Sequence, residues 1–276
     1  MNKTVLITGT SSGIGKATAQ LFLAKGWNVI ATMRQPEKEQ ELTNQPHMLV
    51  TKLDVQQPDT IAAAIQQGID QFGHIDALVN NAGYGEFGIF ESTAKAQVTT
   101  QFEVNVFGVM DTIRVILPHF RERKEGMIIN ISSGAGRFTL PLISLYAASK
   151  FALEGFSESL SFELGALNIG VKIVEPGGTV SNFGNVSGAR FSDKLPIPAY
   201  DNFIGVAGKM FDDLRGMQLA TAEEVAAVIF TAATDETTTL RYVVGNEDFK
   251  QRIAARLTMT DQEYVNSIKS GYLKHM

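Results

Sequence analysis

Short apolar segments that alternate with longer segments of helical periodicity constrain the fold of this 276-residue chain more than any other feature. Seven segments are predicted as strands, most of them rich in Val, Ile and Leu: Thr4–Thr8, Asn28–Met33, Met48–Asp54, Ala77–Asn80, Met127–Ser132, Val171–Glu175 and Tyr242–Val244. Apolar strands without polar alternation are typical of parallel sheets that are covered on both faces.

The segments between these strands have the spacing of amphipathic helices. They are Gly13–Lys25, Asp59–Phe72, Thr99–Arg123, Ala147–Leu167 and Ala222–Thr234. Right-handed crossovers then make an α/β fold the economical solution. We expect a single domain with a Rossmann-type, doubly wound parallel sheet of about seven strands and helices on both faces.

The alternation breaks over about 184–217, where several Gly, Pro and Asn residues are mixed with aromatic and aliphatic side chains. A long segment rich in aromatics indicates a lid or substrate loop, although a surface excursion that packs its own aromatics is the alternative. After Gly245 a polar segment, 246–276, is predicted as a helical tail.

Composition excludes several classes of function. The net charge is −5 and no basic run is present, which argues against nucleic acid as a partner. The absence of Cys removes disulfides and thiolate ligands, and the four His residues share no metal-ligand spacing, so no metal site is expected. No signal peptide is expected before the first strand, and no apolar run reaches membrane-spanning length. We therefore expect a cytoplasmic protein without membrane association.

A Gly-rich turn joins the first predicted strand to the first predicted helix. It reads Gly9-Thr10-Ser11-Ser12-Gly13-Ile14-Gly15. Glycines let the backbone approach a pyrophosphate, and a helix N-terminus offers free N–H groups to it. The turn is predicted to bind a dinucleotide; a tight turn without ligand is the alternative.

The end of the second predicted strand bears on the choice between NAD and NADP. A carboxylate there would bind the ribose 2′-OH, but this chain has Met33 followed by Arg34. Arg34 can pair with a 2′-phosphate, helped by the hydroxyls of Thr10 and Thr32, so NADP(H) is the expected cofactor. Arg34 as a solvated charge, with Glu37 reaching back to the ribose, is the alternative.

Tyr146 and Lys150 lie four residues apart, on one face of a predicted helix, behind the strand that ends at Ser132-Ser133. Reduction of a ketone adds hydride to carbon and needs a proton for oxygen. A phenol has a pKa near 10, and an adjacent ammonium lowers it. Tyr146 thus becomes the candidate proton donor, with Lys150 as the ammonium and a Ser hydroxyl, best Ser133, beside the substrate oxygen.

These motifs resemble those of the short-chain dehydrogenase/reductase family: Thr8-Gly9 through Gly15 matches TGxxxGxG and Tyr146–Lys150 matches YxxxK. The resemblance covers roughly residues 3–245. It implies that Ser133, which precedes Tyr146 by 13 residues, is the catalytic Ser, and that Asn105 supports a water in a proton relay.

The resemblance also implies cofactor contacts beyond the Gly-rich turn. Asp54 and Val55 correspond to the family's adenine-binding pair, and Asn81-Ala82-Gly83 matches the segment that lines the cofactor ribose. Pro176-Gly177 matches the segment beside the nicotinamide carboxamide. Thr179 lies near the position where a family hydroxyl binds the amide or the phosphate of the cofactor. The Asp54-Val55 and Asn81–Gly83 segments could instead be ordinary strand-end turns. On this reading 1–245 is the dinucleotide-binding and catalytic domain, and about 184–217 is its substrate loop.

The residues of these motifs are most similar to those of the branch that contains 17β-hydroxysteroid and retinol dehydrogenases and bacterial ketoreductases. This similarity implies a homodimer or homotetramer, packed through Thr99–Arg123 and Ala147–Leu167. A largely apolar ketone, aldehyde or alcohol is the expected small-molecule substrate. Five apolar side chains are expected to border this substrate: Leu140, Leu142, Leu145, Phe183 and Phe191. Arg137 and Arg190 are the exceptions, as cationic side chains that could bind an acidic substrate.

Two other classes of function remain as alternatives. A nucleotide-sensing regulatory protein would keep the fold but usually loses the Tyr or Lys, and both are present here. An epimerase would be expected to show TGxxGxxG and a larger C-terminal substrate domain.

Overall fold

The computed structural model describes residues 2–180, 183, 196–216 and 218–273. Within these residues seven parallel strands form one sheet in the order β3-β2-β1-β4-β5-β6-β7. Their bounds are β1 Thr4–Thr8, β2 Asn28–Met33, β3 Met48–Lys52, β4 Ala77–Asn80, β5 Gly126–Ile131, β6 Ile169–Pro176 and β7 Arg241–Val244. The predicted fold class, a doubly wound parallel α/β sheet, is confirmed.

Helices cover both faces of the sheet. Their bounds are α1 Gly13–Ala24, α2 Pro58–Phe72, α3 Lys95–Phe102, α4 Gly108–Arg123, α5 Ser144–Gly165, α6 Asp201–Arg215, α7 Ala222–Thr234, α8 Glu247–Thr258 and α9 Asp261–Leu273. On one face α1 and α7 pack around Phe22, Trp27 and Ile229. On the other face α2, α4 and α5 pack around Ile61, Ile116 and Phe120. The sheet is thus buried on both sides, as its apolar strands predicted.

The strand order reverses at β1, which pairs with β2 on one side and with β4 on the other. Because all strands are parallel, their carboxyl ends share one edge of the sheet. A crevice at the carboxyl ends beside such a reversal is where open α/β sheets bind ligands.

Two helices begin three or more residues before their predicted starts. The predicted helix Thr99–Arg123 begins earlier, at Lys95, and is interrupted by a π-helical turn over Glu103–Phe107 that contains the buried Asn105. The predicted helix Ala147–Leu167 begins at Ser144. Tyr146 therefore lies in the first turn of α5 and not before the helix.

Part of the predicted substrate loop forms regular structure, since α6 lies within 184–217. Phe191 and Arg190 lie outside the described residues. The predicted helical tail forms α8 and α9, which pack against the domain through a cluster of Phe138, Ile253 and Tyr264. The Tyr264 hydroxyl donates to the Thr139 carbonyl oxygen at 2.6 Å, so the tail is anchored beside the carboxyl end of β5.

In the part of the chain that the structure describes, no helix combines the length and the apolar character needed to cross a membrane.

Candidate active site

A cavity of about 850 Å³ opens along the carboxyl edge of the sheet. Its walls come from the segments that follow β1 to β6, from α5, and from α6 and α8. The topology thus collects chain segments that are distant in sequence into one chamber.

The Gly-rich turn forms one end of this cavity. Gly9 and Gly13 have positive φ values of 74° and 56°, which a side chain would strain. A Cβ on Gly15 would overlap the carbonyl oxygen of Gly9, so only glycine permits this tight approach. Five of the predicted cofactor residues line the cavity here: Gly9, Ser12, Gly13, Ile14 and Gly15. The turn presents the N-terminus of α1, which can hold a pyrophosphate.

Thr10 does not reach this wall. It is fully buried, and its hydroxyl donates to the Thr32 carbonyl oxygen at 3.1 Å. Thr32 is likewise buried, and its hydroxyl donates to the Ile7 carbonyl oxygen at 2.9 Å. The two hydroxyls predicted to help bind a 2′-phosphate therefore stabilise the turn instead.

Asn81 ties the segment after β4 to the Gly-rich turn. Its Nδ2 donates to the carbonyl oxygens of Thr8 at 2.9 Å and Gly9 at 3.0 Å, and its backbone N–H donates to the Thr8 hydroxyl at 3.0 Å. Asn81, Ala82 and Gly83, the residues expected to contact the cofactor ribose, all line the cavity.

The adenosine end of the cavity is expected beyond β2 and β3. Met33 is buried and Arg34 is exposed, and both line the cavity together with Asp54 and Val55. One carboxylate oxygen of Asp54 accepts from the Gln56 backbone N–H at 3.1 Å. Glu37, the alternative ribose ligand, is exposed and is not among the cavity-lining residues that the structure describes.

Ser133, Tyr146 and Lys150 meet in the middle of the cavity wall. Ser133 lies just after the end of β5 and Tyr146 lies in the first turn of α5, and both line the cavity. The Lys150 ammonium donates to the Ile131 carbonyl oxygen at 2.8 Å and lies 5.9 Å from the centre of the Tyr146 ring. The structure therefore brings these three predicted catalytic residues together.

Burial controls the charges of this group. It raises the pKa of Tyr146 to about 12, against a smaller lowering by the Ser133 hydrogen bond. It also lowers the pKa of Lys150 to about 8, partly offset by the nearby Glu154 carboxylate. The sequence analysis expected Lys150 to lower the pKa of the Tyr146 phenol. In this structure desolvation has the larger effect and raises that pKa instead. At neutral pH the phenol holds its proton and the amine is charged.

Asn105 is buried behind Tyr84 rather than exposed on the cavity wall. Its Oδ1 accepts from the Tyr84 N–H at 3.1 Å, and its Nδ2 donates to the Tyr84 carbonyl oxygen at 2.9 Å and to Ser149 Oγ at 3.2 Å. These bonds connect the π-helical turn to α5 between Tyr146 and Lys150. Asn105 thus contacts the site through α5 and the segment after β4.

The end of β6 and the segment after it form another wall of the cavity. Pro176, Gly177 and Thr179, the residues expected near the nicotinamide, line it. The Thr179 hydroxyl donates to the Gly177 carbonyl oxygen at 3.1 Å, which folds this segment into a turn.

The expected substrate end of the cavity is only partly as predicted. Leu140 and Phe183 line it, whereas Leu142 and Leu145 are absent from the described lining. Arg137 pairs with the buried Glu175 carboxylate at 3.2 Å and does not line the cavity. An acidic substrate therefore finds no partner in Arg137.

Several lining residues were missed by the sequence analysis. Most are aromatic or come from α6 and α8: Phe87, Phe138, Phe211, Leu214, Phe249 and Arg252. The last two belong to the tail, for which the sequence analysis predicted helical structure but no part in the site. A signal was available, because the tail follows the carboxyl end of β7, and parallel strands direct their carboxyl ends to the same edge.

Across the described residues, no group of three or more His, Asp or Glu side chains is arranged to hold a metal ion.

Comparison with known proteins identifies the family. The family model described as short chain dehydrogenase matches residues 3–189. An uncharacterized oxidoreductase of Schizosaccharomyces pombe is 41% identical over 217 residues, which cover 78% of this chain and 89% of the relative. Human retinol dehydrogenase 8 is 38% identical over 193 residues, 66% of this chain and 60% of that protein.

A solved structure agrees with this assignment. A short-chain dehydrogenase from Streptomyces avermitilis superposes with a TM-score of 0.82 at 32% identity, covering 98% of this chain and 97% of that one. The resemblance to the retinol dehydrogenase branch is confirmed by these relatives. This chain belongs to the short-chain dehydrogenase family, as an oxidoreductase that acts on CH–OH or C=O groups.

Proposed function

We propose that this protein is an NADPH-dependent carbonyl reductase and alcohol dehydrogenase that acts on a largely apolar ketone, aldehyde or secondary alcohol. The observation that carries the proposal is that Ser133 and Tyr146 lie on the wall of one cavity together with the buried Lys150 ammonium, which the Ile131 carbonyl oxygen holds in place. Two hydroxyls that converge on one open space can both contact a substrate oxygen.

The cavity residues fit a dinucleotide. The N-terminus of α1 and the turn Gly9–Gly15 would hold the pyrophosphate, and Asp54 and Val55 would contact the adenine. Asn81, Ala82 and Gly83 would line a ribose, and Pro176, Gly177 and Thr179 would contact the carboxamide. Thr10 and Asn105 would act from behind this surface, because their side chains face other residues.

Arg34 supports the choice of NADP(H). Its guanidinium is exposed at the end of β2, where it lines the cavity and where an acidic residue would select NAD. Charge-assisted hydrogen bonds to a 2′-phosphate contribute about 1.5–3 kcal/mol.

Tyr146 acts as the acid in the reductive direction. NADPH, when bound, supplies a hydride for the carbonyl carbon. The substrate oxygen accepts hydrogen bonds from the hydroxyls of Ser133 and Tyr146, which stabilises the negative charge that develops there. The phenol, with a pKa of about 12, still carries its proton at neutral pH and transfers it to that oxygen. In the oxidative direction the same phenol oxygen receives the proton.

Lys150 has two roles in this proposal. Its ammonium holds the ribose hydroxyls and stabilises the phenolate that forms on Tyr146. The hydrogen bond to the Ile131 carbonyl oxygen keeps the amine in place, and the Asn105–Ser149 bond fixes the turn of α5 between Tyr146 and Lys150. Asn105 is therefore proposed as a positioning residue that serves the proton relay.

The apolar character of the substrate follows from the side chains around Tyr146. Phe87 and Phe183 lie 5.6 Å and 5.5 Å from the Tyr146 ring centre, and Leu140 packs in the same cluster. We assign 1–245 as the catalytic domain, with 184–217 as its substrate loop.

We further propose a homodimer or homotetramer that is packed through α4 and α5. Three exposed Phe side chains lie on or next to these helices: Phe107, Phe151 and Phe162, with 47%, 43% and 75% of their surface accessible. Exposed aromatic side chains of this kind are enriched in protein interfaces.

The test is NADPH oxidation, followed as absorbance loss, with a panel of apolar ketones and with NADH in parallel. We expect oxidation of NADPH well above that of NADH. Tyr146→Phe should abolish turnover and leave NADPH binding nearly intact, while Tyr272→Phe, in α9 and outside the cavity, should behave as wild type. Turnover retained in Tyr146→Phe would overturn the mechanism. Tight dinucleotide binding without turnover on any ketone would favour a nucleotide-sensing protein.

A further inference from the structure

Three glycines from three different segments converge on one aromatic ring of the tail. A Cβ on Gly134, which follows Ser133, would overlap the Phe249 ring. On Gly177, beside Pro176, it would lie 2.9 Å from Phe249 Cγ, and on Gly245, after β7, it would lie 2.6 Å from Cδ1. The ring thus sits where β5, β6 and β7 end, and each of these segments lacks a side chain where it meets the ring.

The position of Phe249 is held from both sides. The Asn246 side chain accepts from the Phe249 backbone N–H at 2.9 Å and donates to the Gln218 carbonyl oxygen at 2.8 Å, which fixes the first turn of α8. On its far side the ring meets Phe138, with ring centres 6.0 Å apart. A ring packed in this way has little freedom to move aside for a ligand.

The same ring is a wall of the cavity that holds Ser133 and Tyr146. Two aromatic groups therefore border the reacting position. Phe87 and Phe183 stand against Tyr146, while Phe249 stands against the residue after Ser133. A carbonyl bound to both hydroxyls would direct one substituent toward each group.

We propose that Phe249 is a specificity-determining residue: its ring limits the size of the substituent that a ketone presents toward α8. The inference rests on the proposed function and assigns to the C-terminal tail a direct part in substrate selection. The preferred substrate then carries one small and one large apolar group on its carbonyl carbon.

The test uses aryl alkyl ketones in which the alkyl group grows from methyl to butyl, with NADPH as reductant. In the wild type kcat/KM should fall along the series, by about tenfold or more from methyl to butyl, because one methylene that does not fit is worth about 1–3 kcal/mol. In Phe249→Ala the butyl-to-methyl ratio should rise by about tenfold or more. Phe249→Leu should lie between the two.

Ile253→Ala is the matched control. Ile253 is buried on the same helix, one turn further on, and packs with Phe138 and Tyr264 without lining the cavity. We expect it to lower the melting temperature and to keep the wild-type ratio. A ratio that is unchanged in Phe249→Ala, or shifted equally in Ile253→Ala, would overturn the inference while the proposed function stands. A wild type that reduces no ketone would overturn the proposed function and this inference with it.

A second measurement tests the contact without turnover. Gly245→Ala should lower the melting temperature in the wild-type background, because the new Cβ meets the Phe249 ring, and should lower it much less in the Phe249→Ala background. If Gly245→Ala lowered the melting temperature equally in both backgrounds, the Phe249 ring would not lie against residue 245, and the inferred position of the ring would be wrong.

Discussion

The side-chain amide of Asn81 lies against Gly15, so closely that a Cβ on Gly15 would overlap both Asn81 Nδ2 and the carbonyl oxygen of Gly9. That amide is already engaged, since it donates to the carbonyl oxygens of Thr8 and Gly9. The segment after β4 and the turn after β1 therefore close on each other only because residue 15 has no side chain.

Gly15→Ala is expected to weaken NADPH binding by more than about tenfold, equivalent to 1.4 kcal/mol, because the turn must open to admit the methyl group. Titration of NADPH fluorescence measures this. Gly271→Ala is the control: Gly271 lies within α9 with open space around it and does not line the cavity, and helix propensity predicts a neutral or slightly stabilising effect. Equal NADPH affinity in Gly15→Ala and wild type would contradict the assigned pyrophosphate site.

Arg34→Ala should lower kcat/KM for NADPH by roughly 10- to 100-fold and leave the value for NADH nearly unchanged, since only NADPH carries the 2′-phosphate. Lys38→Ala provides the comparison, because Lys38 is an exposed cation of the same loop that does not line the cavity. A parallel loss with both cofactors would assign Arg34 to general positioning, and no loss with either would remove it from the site.

The activity should decline above about pH 8. Burial lowers the pKa of Lys150 to about 8, so the ammonium that the mechanism requires is present below that pH and lost above it. The profile of kcat/KM against pH reports groups of the free enzyme. Lys150→Arg keeps its charge, so whatever activity it retains should show no such decline. An identical alkaline limb in both proteins would assign that limb to another group.

Glu175 should make the stability of the fold depend on pH. Burial, and to a smaller extent the Glu154 carboxylate, raise the pKa of Glu175 to about 7, against the attraction of Arg137 and Arg241. Glu175 therefore binds its proton more tightly in the folded state than in the unfolded state. The stability that this proton contributes is complete below the unfolded pKa near 4.5 and is lost as pH rises through 7.

Glu175→Gln, which cannot ionise, should therefore raise the melting temperature at pH 8 relative to wild type, by about 2–4 °C per kcal/mol, and change it less at pH 5. Thermal unfolding at the two pH values measures the difference. The control is Glu158→Gln, since Glu158 is a more exposed partner of Arg241. A Glu175→Gln protein that is less stable at pH 8 would show that the ion pairs outweigh the cost of burial.

The sequence predicted the sheet because each strand is a local pattern. The observed bounds of β1, β2 and β4 are those that the sequence predicted. β3 ends at Lys52, two residues before its predicted end at Asp54. The start of α5 was placed three residues late, at Ala147 instead of Ser144. Helix ends depend on capping contacts with other segments, which periodicity does not contain.

The cavity residues near the strand ends were predictable for a physical reason. Ser133, Asn81 and Pro176 follow parallel strands, and parallel strands bring their carboxyl ends to one edge, so order along the chain implies proximity in space. Tyr146 and Lys150 followed from helical spacing together with the preceding strand.

The direction of side chains and the degree of burial were decided by the tertiary structure alone. Thr10 lies in the Gly-rich turn yet donates to Thr32, and the pKa of Tyr146 rises because the packed structure buries its side chain. Phe249 reaches the cavity because β7 delivers the tail to the same edge of the sheet, where three glycines leave room for its ring. Local pattern determines which elements form, whereas burial and contact between distant segments arise only when those elements pack.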